Sequence, residues 1–211
     1  LPFRTLVSEF GAGLVTSEMI ASKDMLAGHT SSRQKLELGF GAEGTAVQLA
    51  GCDPYLMAEA ARMAEDNGAK FIDINMGCPA KKVVNGYAGS ALLRDLGHAM
   101  NLIEAVVEAV KLPVSVKTRL GWDDTSHNAI EHAKLAENTG IVMITIHGRT
   151  RNQFFKGSAS WTAIRSIGSV YADFPKARRG RESALPDEVE QNAISVKNAV
   201  YTAFADITNA E

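Results

Sequence analysis

Residues 71–93 carry the plainest chemistry in this sequence. Phe71, Ile72 and Ile74 are the residue types strands favour, and Gly77 and Pro79 then stop the strand. Cys78 stands between them. A cysteine that only fills a core belongs inside an element, among apolar neighbours. Here one neighbour permits unusual backbone angles and the other fixes them, which projects the thiol into the cavity around the strand ends. The loop that follows carries Asn85, Gly86 and Gly89 and is able to close over a ligand. Other polar side chains recur at the carboxyl ends of predicted strands: Glu18, Gln48, Asn75, Lys117 with Arg119, and His147 with Arg149. Singly, Lys117 reads as a solvated strand end, His147 as a core histidine and Arg149 as an ion-pair partner. In a barrel all of these ends converge on one face, where barrel enzymes keep their sites.

The elements that must position these residues alternate. A short helix is expected over residues 2–10, a strand over 14–18, a helical turn over 22–27 and a polar loop over 30–44. A strand over 46–49 leads to a helix capped by Asp53, opened by Pro54 and closed by Gly68. After the Phe71 strand come a helix over 98–110, a strand over 113–117, a helix capped by Ser126, a strand over 141–146 and a helix over 161–167. Five alternations with buried-looking strands predict a parallel α/β sheet with right-handed crossovers. No Gly-x-Gly-x-x-Gly follows a strand, which favours a (β/α)8 barrel over a doubly wound dinucleotide-binding sheet.

The 211 residues are long enough for one sizeable core, and 45% are hydrophobic. No apolar run has the length of a membrane span, and no signal peptide is expected. Cys52 and Cys78 form neither a disulfide framework nor a metal pair, so no metal is expected and a reducing cytoplasm fits. A net charge of −2 confines any nucleic-acid surface to a local patch.

Asn-x-Gly-Cys-Pro at 75–79, with Lys-Lys-Val-Val and Gly-Tyr-Ala-Gly-Ser-Ala-Leu behind it, resembles the active-site segment of a bacterial branch of the tRNA-dihydrouridine synthases. Ser17-Glu18-Met19, Val47-Gln48-Leu49, residues 116–122 around Lys117-Thr118-Arg119, and Ile146-His147-Gly148-Arg149-Thr150 match the same family in order. The resemblance runs over residues 1–167. It implies an FMN-dependent enzyme, with NADPH as reductant, that reduces uridine in tRNA to 5,6-dihydrouridine. Cys78 is then the general acid that protonates C5 of the uracil, as a mostly protonated yet labile thiol suits. Asn75 orients the uracil. Gln48 meets the pyrimidine edge of the flavin, Lys117 brings a positive charge to its N1/O2 region, and His147 serves its ribityl–phosphate side. Lys81, Lys82, Arg119 and Arg149, with Arg151 and Lys156, are expected on loops of the mouth, within reach of RNA phosphates.

The resemblance implies an incomplete (β/α)8 TIM-type barrel over residues 1–167, lacking the family's first strand and its last two. A divergent linker and helical tail of unknown role is expected over 168–211, with a helix from Asp187 and the basic residues Lys176, Arg178, Arg179 and Arg181 before it. The family's phosphate-binding strands are not recognised there, so reduced or no activity is expected of this chain alone. The oligomeric state and the tRNA position modified are not specified. Two other readings compete: a flavin barrel acting on a free pyrimidine, and a noncatalytic remnant that binds RNA or a partner. Activity on tRNA separates the first, and a yellow colour on purification the second.

Overall fold

A computed structural model describes residues 2–37 and 45–170. The expected tail helix and its basic cluster lie outside the described residues. Helix α1 (Pro2–Glu9) leads to two short strands, β1 (Val15–Thr16) and β2 (Ile20–Ala21), then α2 (Ser22–Leu26) and α3 (Thr30–Leu36). The first half of the segment expected as a polar loop is therefore helical. Strand β3 (Thr45–Ala50), α4 (Pro54–Asp66) and β4 (Phe71–Asn75) follow. Next come α5 (Lys81–Asn85), a 3-10 helix (Gly89–Arg94), α6 (Leu96–Ala109), β5 (Val114–Arg119), α7 (Ala129–Asn138), β6 (Met143–His147) and α8 (Trp161–Val170).

Local chemistry explains most of these boundaries. Asp53 accepts from the Leu56 N–H at 2.9 Å, Pro54 opens α4, and Gly68 turns out of it at φ 89°. Asp95 caps α6 through the His98 N–H at 3.0 Å, so the helix begins at Leu96, two residues before the expected start. Ser126 does not cap α7, because its hydroxyl bonds Asp123 Oδ1 at 2.9 Å within a tight turn. The cap position falls to Asn128, whose side chain makes no capping bond.

Every strand pair is parallel, in the order β1-β3-β4-β5-β6, with β2 also on β3. β1 and β2 are one edge strand in two pieces. It breaks where Ser17 Oγ, rather than a backbone carbonyl, accepts the Gln48 N–H at 3.0 Å. Neighbours in the sheet are neighbours in the chain. This is the singly wound order of a barrel and differs from a doubly wound sheet, whose order reverses. The helices follow suit: α4 packs on α2 and α6, α6 on α7, and α7 on α8. The result is a curled half-barrel of parallel strands with helices on its outer face.

The two faces of the sheet differ sharply. Successive strand residues point to opposite faces. Val47, Leu49, Ile72, Ile74, Val114 and Val116 form the outer set and pack with Met57, Ala61, Leu102, Ile103 and Val106 in one buried cluster. The opposite face carries the polar residues Gln48, Asp73, Asn75, Ser115, Lys117, Arg119, Thr145 and His147, with Ala46, Ala50, Phe71 and Met143 in phase with them. Register aligns them across the strands, with Gln48 beside Asp73, Asp73 beside Ser115, Asn75 beside Lys117, and Arg119 beside His147. The sheet thus stacks its chemistry on its concave, inner face.

Candidate active site

The site is built around a buried carboxylate that sequence reading passes over. Asp73 is 7% exposed in the middle of β4. Its Oδ1 accepts from Ser115 Oγ at 2.6 Å and its Oδ2 from Gln48 Nε2 at 2.6 Å. Burial raises its pKa, against the opposing pull of the Ser115 and Gln48 hydrogen bonds and the Lys117 charge. The signal that reveals it is a polar residue at every second position, Asp73 and Asn75 in β4 and Ser115, Lys117 and Arg119 in β5. Attention to strand ends alone misses both Asp73 and Ser115.

Gln48 passes the network on. Its Oε1 accepts from Asn75 Nδ2 at 2.9 Å, and Asn75 Oδ1 accepts the backbone N–H groups of Gly77 and Cys78 at 3.1 and 2.9 Å. Asn75 thereby folds the Cys78 loop back onto the end of its own strand. Gln48 keeps one free N–H and one free lone pair, and Asn75 one free N–H. The loop is clamped from the other side too. The Cys78 carbonyl accepts from the N–H and the hydroxyl of Ser90, at 3.1 and 2.9 Å. Gly89 sits at φ 60°, and a Cβ there would lie 2.8 Å from the Cys78 carbonyl oxygen. Cys78 itself is partly exposed and unpaired as a thiol.

Lys117 is half-buried beside Asn75, with no hydrogen bond or ion pair among the described residues. Burial lowers its pKa, and the Asp73 charge partly restores it. His147 is held well below its usual value, at about 4, by burial and then by the charges of Arg119, Lys117 and Arg149. It is neutral at physiological pH. Its Nε2 meets Arg149 Nη1 at 3.1 Å, and an arginine only donates, so the imidazole proton is on Nδ1. Arg149 also donates to the Gly157 carbonyl at 2.6 Å, and its buried Nε has no hydrogen-bond partner among the described residues.

Arg119 corrects an expectation. Instead of standing on a loop of the mouth, within reach of RNA phosphates, it lies at the end of β5, 3% exposed. Its Nε donates to the Gly77 carbonyl at 2.8 Å, and its Nη1 to the carbonyls of Thr150 and Phe154 at 3.1 and 2.9 Å. Arg119 ties the loops after β4 and β6 together through these three carbonyls. Lys81 and Lys82 are exposed on α5, next to the Cys78 loop. Arg94 and Arg151 flank the Trp122 ring at 5.0 and 4.1 Å. Glu18 is drawn away from the row into an ion pair with Arg4 at 3.7 Å.

Lys117 Nζ, His147 Nδ1–H and the Gln48 N–H not used by Asp73 are donors with no acceptor among the described residues. Such a set fits a planar, acceptor-rich group carrying negative charge. Among the described residues no cluster of His, Cys, Asp and Glu is able to hold a metal, and no helix is long and apolar enough to cross a membrane. A cavity of about 270 Å3, lined by Tyr87, Ala91, Leu92, Arg94, Asp95 and His98, shares no residue with the polar row.

A family model described as dihydrouridine synthase matches residues 1–171. A probable tRNA-dihydrouridine synthase of Rickettsia bellii (strain RML369-C) is 52% identical over 200 residues, covering 90% of this chain and 61% of that protein. That match takes in part of the segment after Ile167. A probable tRNA-dihydrouridine synthase of Rickettsia prowazekii (strain Madrid E) is 57% identical over 168 residues, covering 79% of this chain and 51% of that protein. The tRNA-dihydrouridine synthase B of Vibrio vulnificus (strain CMCP6) is 47% identical over 167 residues, covering 79% and 52%. The chain spans half to three-fifths of the length of these curated relatives. On the match to the family model and on these identities, the chain belongs to the dihydrouridine synthase family.

Proposed function

We propose that this chain carries the chemistry of an FMN-dependent tRNA-dihydrouridine synthase, which reduces a uridine of tRNA to 5,6-dihydrouridine with NADPH as the ultimate reductant. The observation that carries the reading is the hydrogen-bonded row from Asp73 to the Cys78 loop, lying beside an unpartnered Lys117. The C5–C6 bond of uracil is conjugated to the C4 carbonyl. Bound FMN would supply the hydride that adds at C6. Cys78 then delivers its proton to C5, so that one hydride and one proton complete the saturated bond.

The other residues position. The free N–H of Asn75 faces the uracil, and the free amide groups of Gln48 meet the pyrimidine edge of the flavin. Lys117 supplies positive charge at that edge, made stronger by its partial burial. His147, neutral and with its Nδ1–H open, serves the ribityl–phosphate side. These are ring-side and ribityl-side groups, so tight FMN binding needs phosphate-side donors as well. The target base has to leave its stack to reach Cys78. Lys81, Lys82 and Arg149 are the proposed contacts to tRNA phosphates near the mouth, with Arg94 and Arg151 beside them on Trp122.

The test is Cys78→Ala, introduced into a full-length enzyme that carries this loop. Dihydrouridine formed in unmodified tRNA should fall at least about a hundredfold, the usual contribution of a positioned acid. The absorbance of bound flavin should not change. Undiminished product at neutral pH would remove Cys78 from the reaction.

A further inference from the structure

We infer that Phe155 is a stacking platform for a base of the tRNA strand beside the target uridine, flanked by Arg151 and Lys156 as contacts to its phosphates. The inference rests on the reading of tRNA as the substrate. Phe155 is 67% exposed. A scattered exposed apolar side chain needs no explanation, but this one is held in place at the mouth. The turn that carries it is fixed from several sides. The Thr150 N–H donates to Gln153 Oε1 at 2.8 Å, the Phe154 N–H to the Arg151 carbonyl at 3.1 Å, and the Lys156 N–H to the Gln153 carbonyl at 2.8 Å. Arg119 donates to the carbonyls of Thr150 and Phe154, and Arg149 to that of Gly157. Phe154 takes φ 56°, which a bulky side chain rarely adopts. Strain of this kind persists only where the surroundings enforce it, and it gathers at binding sites. The Phe155 ring meets the Phe154 ring edge-on at 5.2 Å and lies 6.3 Å from that of His147, the last residue of the polar row on β6. The buried Arg119 guanidinium is over the ring at 5.6 Å, and most of the ring stays open to solvent.

A flat apolar ring, fixed and open, suits another flat ring. Nucleobases stack on such rings with little regard to sequence, because every base has a π-face. The surroundings favour a nucleic acid over an apolar protein segment. No Asp or Glu occurs from His147 to Gly157, whereas Arg149, Arg151 and Lys156 do. The ion pairs among the described residues lie elsewhere, between Arg4 and Glu18 and between Arg62 and Glu59. Arg151 lays its guanidinium on the Trp122 ring at 4.1 Å and gives one N–H to Asn152 Oδ1. Stacking occupies the face of a guanidinium and leaves its other in-plane N–H groups for a phosphate. Aromatic and cationic side chains interleaved in this way are what single-stranded nucleic acid takes. A uridine that leaves its stack uncovers the face of its neighbour, and Phe155 supplies a replacement surface.

The test is binding of unmodified tRNA to the 211-residue chain over a range of salt concentrations. Phe155→Leu should weaken binding about fivefold to about a hundredfold, the range of base–aromatic stacking. It should leave the dependence of log affinity on log salt unaltered, because no phosphate contact is lost. Phe155→Trp should bind as the original chain does and show additional quenching of indole fluorescence on binding. Arg151→Gln should instead flatten the salt dependence by about 0.7–1, the share of one phosphate contact. Unchanged affinity in Phe155→Leu, a salt dependence that changes with it, weak binding by Phe155→Trp, an unaltered salt dependence in Arg151→Gln, or no tRNA binding by the chain overturns the inference. Phe155-dependent binding in a full-length enzyme that carries this loop and forms no dihydrouridine would retire the catalytic reading and leave the platform standing. Dihydrouridine formed by Phe155→Leu with an unchanged KM for tRNA would remove the platform alone.

Discussion

Replacing Arg119 by Met separates two accounts of the same residue. If Arg119 were a rim contact to RNA, its loss would weaken tRNA binding and leave stability alone. The structure gives it three carbonyl acceptors on two loops, with Phe154 turned to φ 56° on the segment that offers one of them. Charge-assisted bonds of this kind contribute about 1.5–3 kcal/mol each when a buried partner is removed. Part of that is offset, because burial and the Arg149 charge already lower the pKa of Arg119 and its guanidinium is partly desolvated. A net loss of about 3–4 kcal/mol is expected, which for a chain of this size lowers Tm by roughly 10 °C. Arg119→Lys should recover little of it, since one ammonium cannot span three carbonyls set by a planar fork. Urea titration followed by far-UV circular dichroism measures the loss. An unchanged midpoint together with weakened tRNA affinity would refute the argument and return Arg119 to the RNA surface.

Three further outcomes rest on the same geometry. His132, fully buried with Nδ1 at 3.3 Å from Thr118 Oγ1, is held at a pKa of about 4 by burial. Its folded pKa lies below its unfolded one, so stability is full above about pH 6.5 and falls as pH drops towards 4, by about 3 kcal/mol from this residue. His132→Asn should flatten that part of the pH–stability curve, and an unaltered slope would assign it to another group. Lys117→Met in a flavin-loaded full-length enzyme should lower the flavin reduction potential and slow reduction by NADPH. A potential that does not move would place the Lys117 charge away from the flavin. Gly89→Ala forces a Cβ to 2.8 Å from the Cys78 carbonyl oxygen at a positive φ, and should cost about 2 kcal/mol or more, with faster alkylation of Cys78. Wild-type stability and thiol reactivity would show that the loop yields without strain.

Much of this molecule is written locally. The Asp53 cap, Pro54 and Gly68 place α4 to the residue, and the apolar run with Gly77-Cys78-Pro79 behind it places β4 and its loop. The family follows from ordered motifs whose residues are near neighbours in sequence. These signals depend on backbone preferences and on spacing, both of which a linear string records. Where competing partners are close at hand the string is ambiguous. Ser126 looks like a helix cap but is captured by Asp123, and residues 30–36 look like loop but form α3.

The sequence alone does not decide how polar groups pair across strands, because register is a relation between segments far apart in the chain. Alternation points to parallel strands, yet only the order β1-β3-β4-β5-β6 makes the sheet singly wound and brings one row of polar residues together. Arg119 is equally rim or strut until the carbonyls of Gly77, Thr150 and Phe154 are placed around it. Asp73 is one more strand residue until Gln48 from β3 and Ser115 from β5 meet its two oxygens. A buried carboxylate is tolerated only when its partners arrive from neighbouring strands. Spacing along the chain determined which side chains were available, and the tertiary register decided which of them meet.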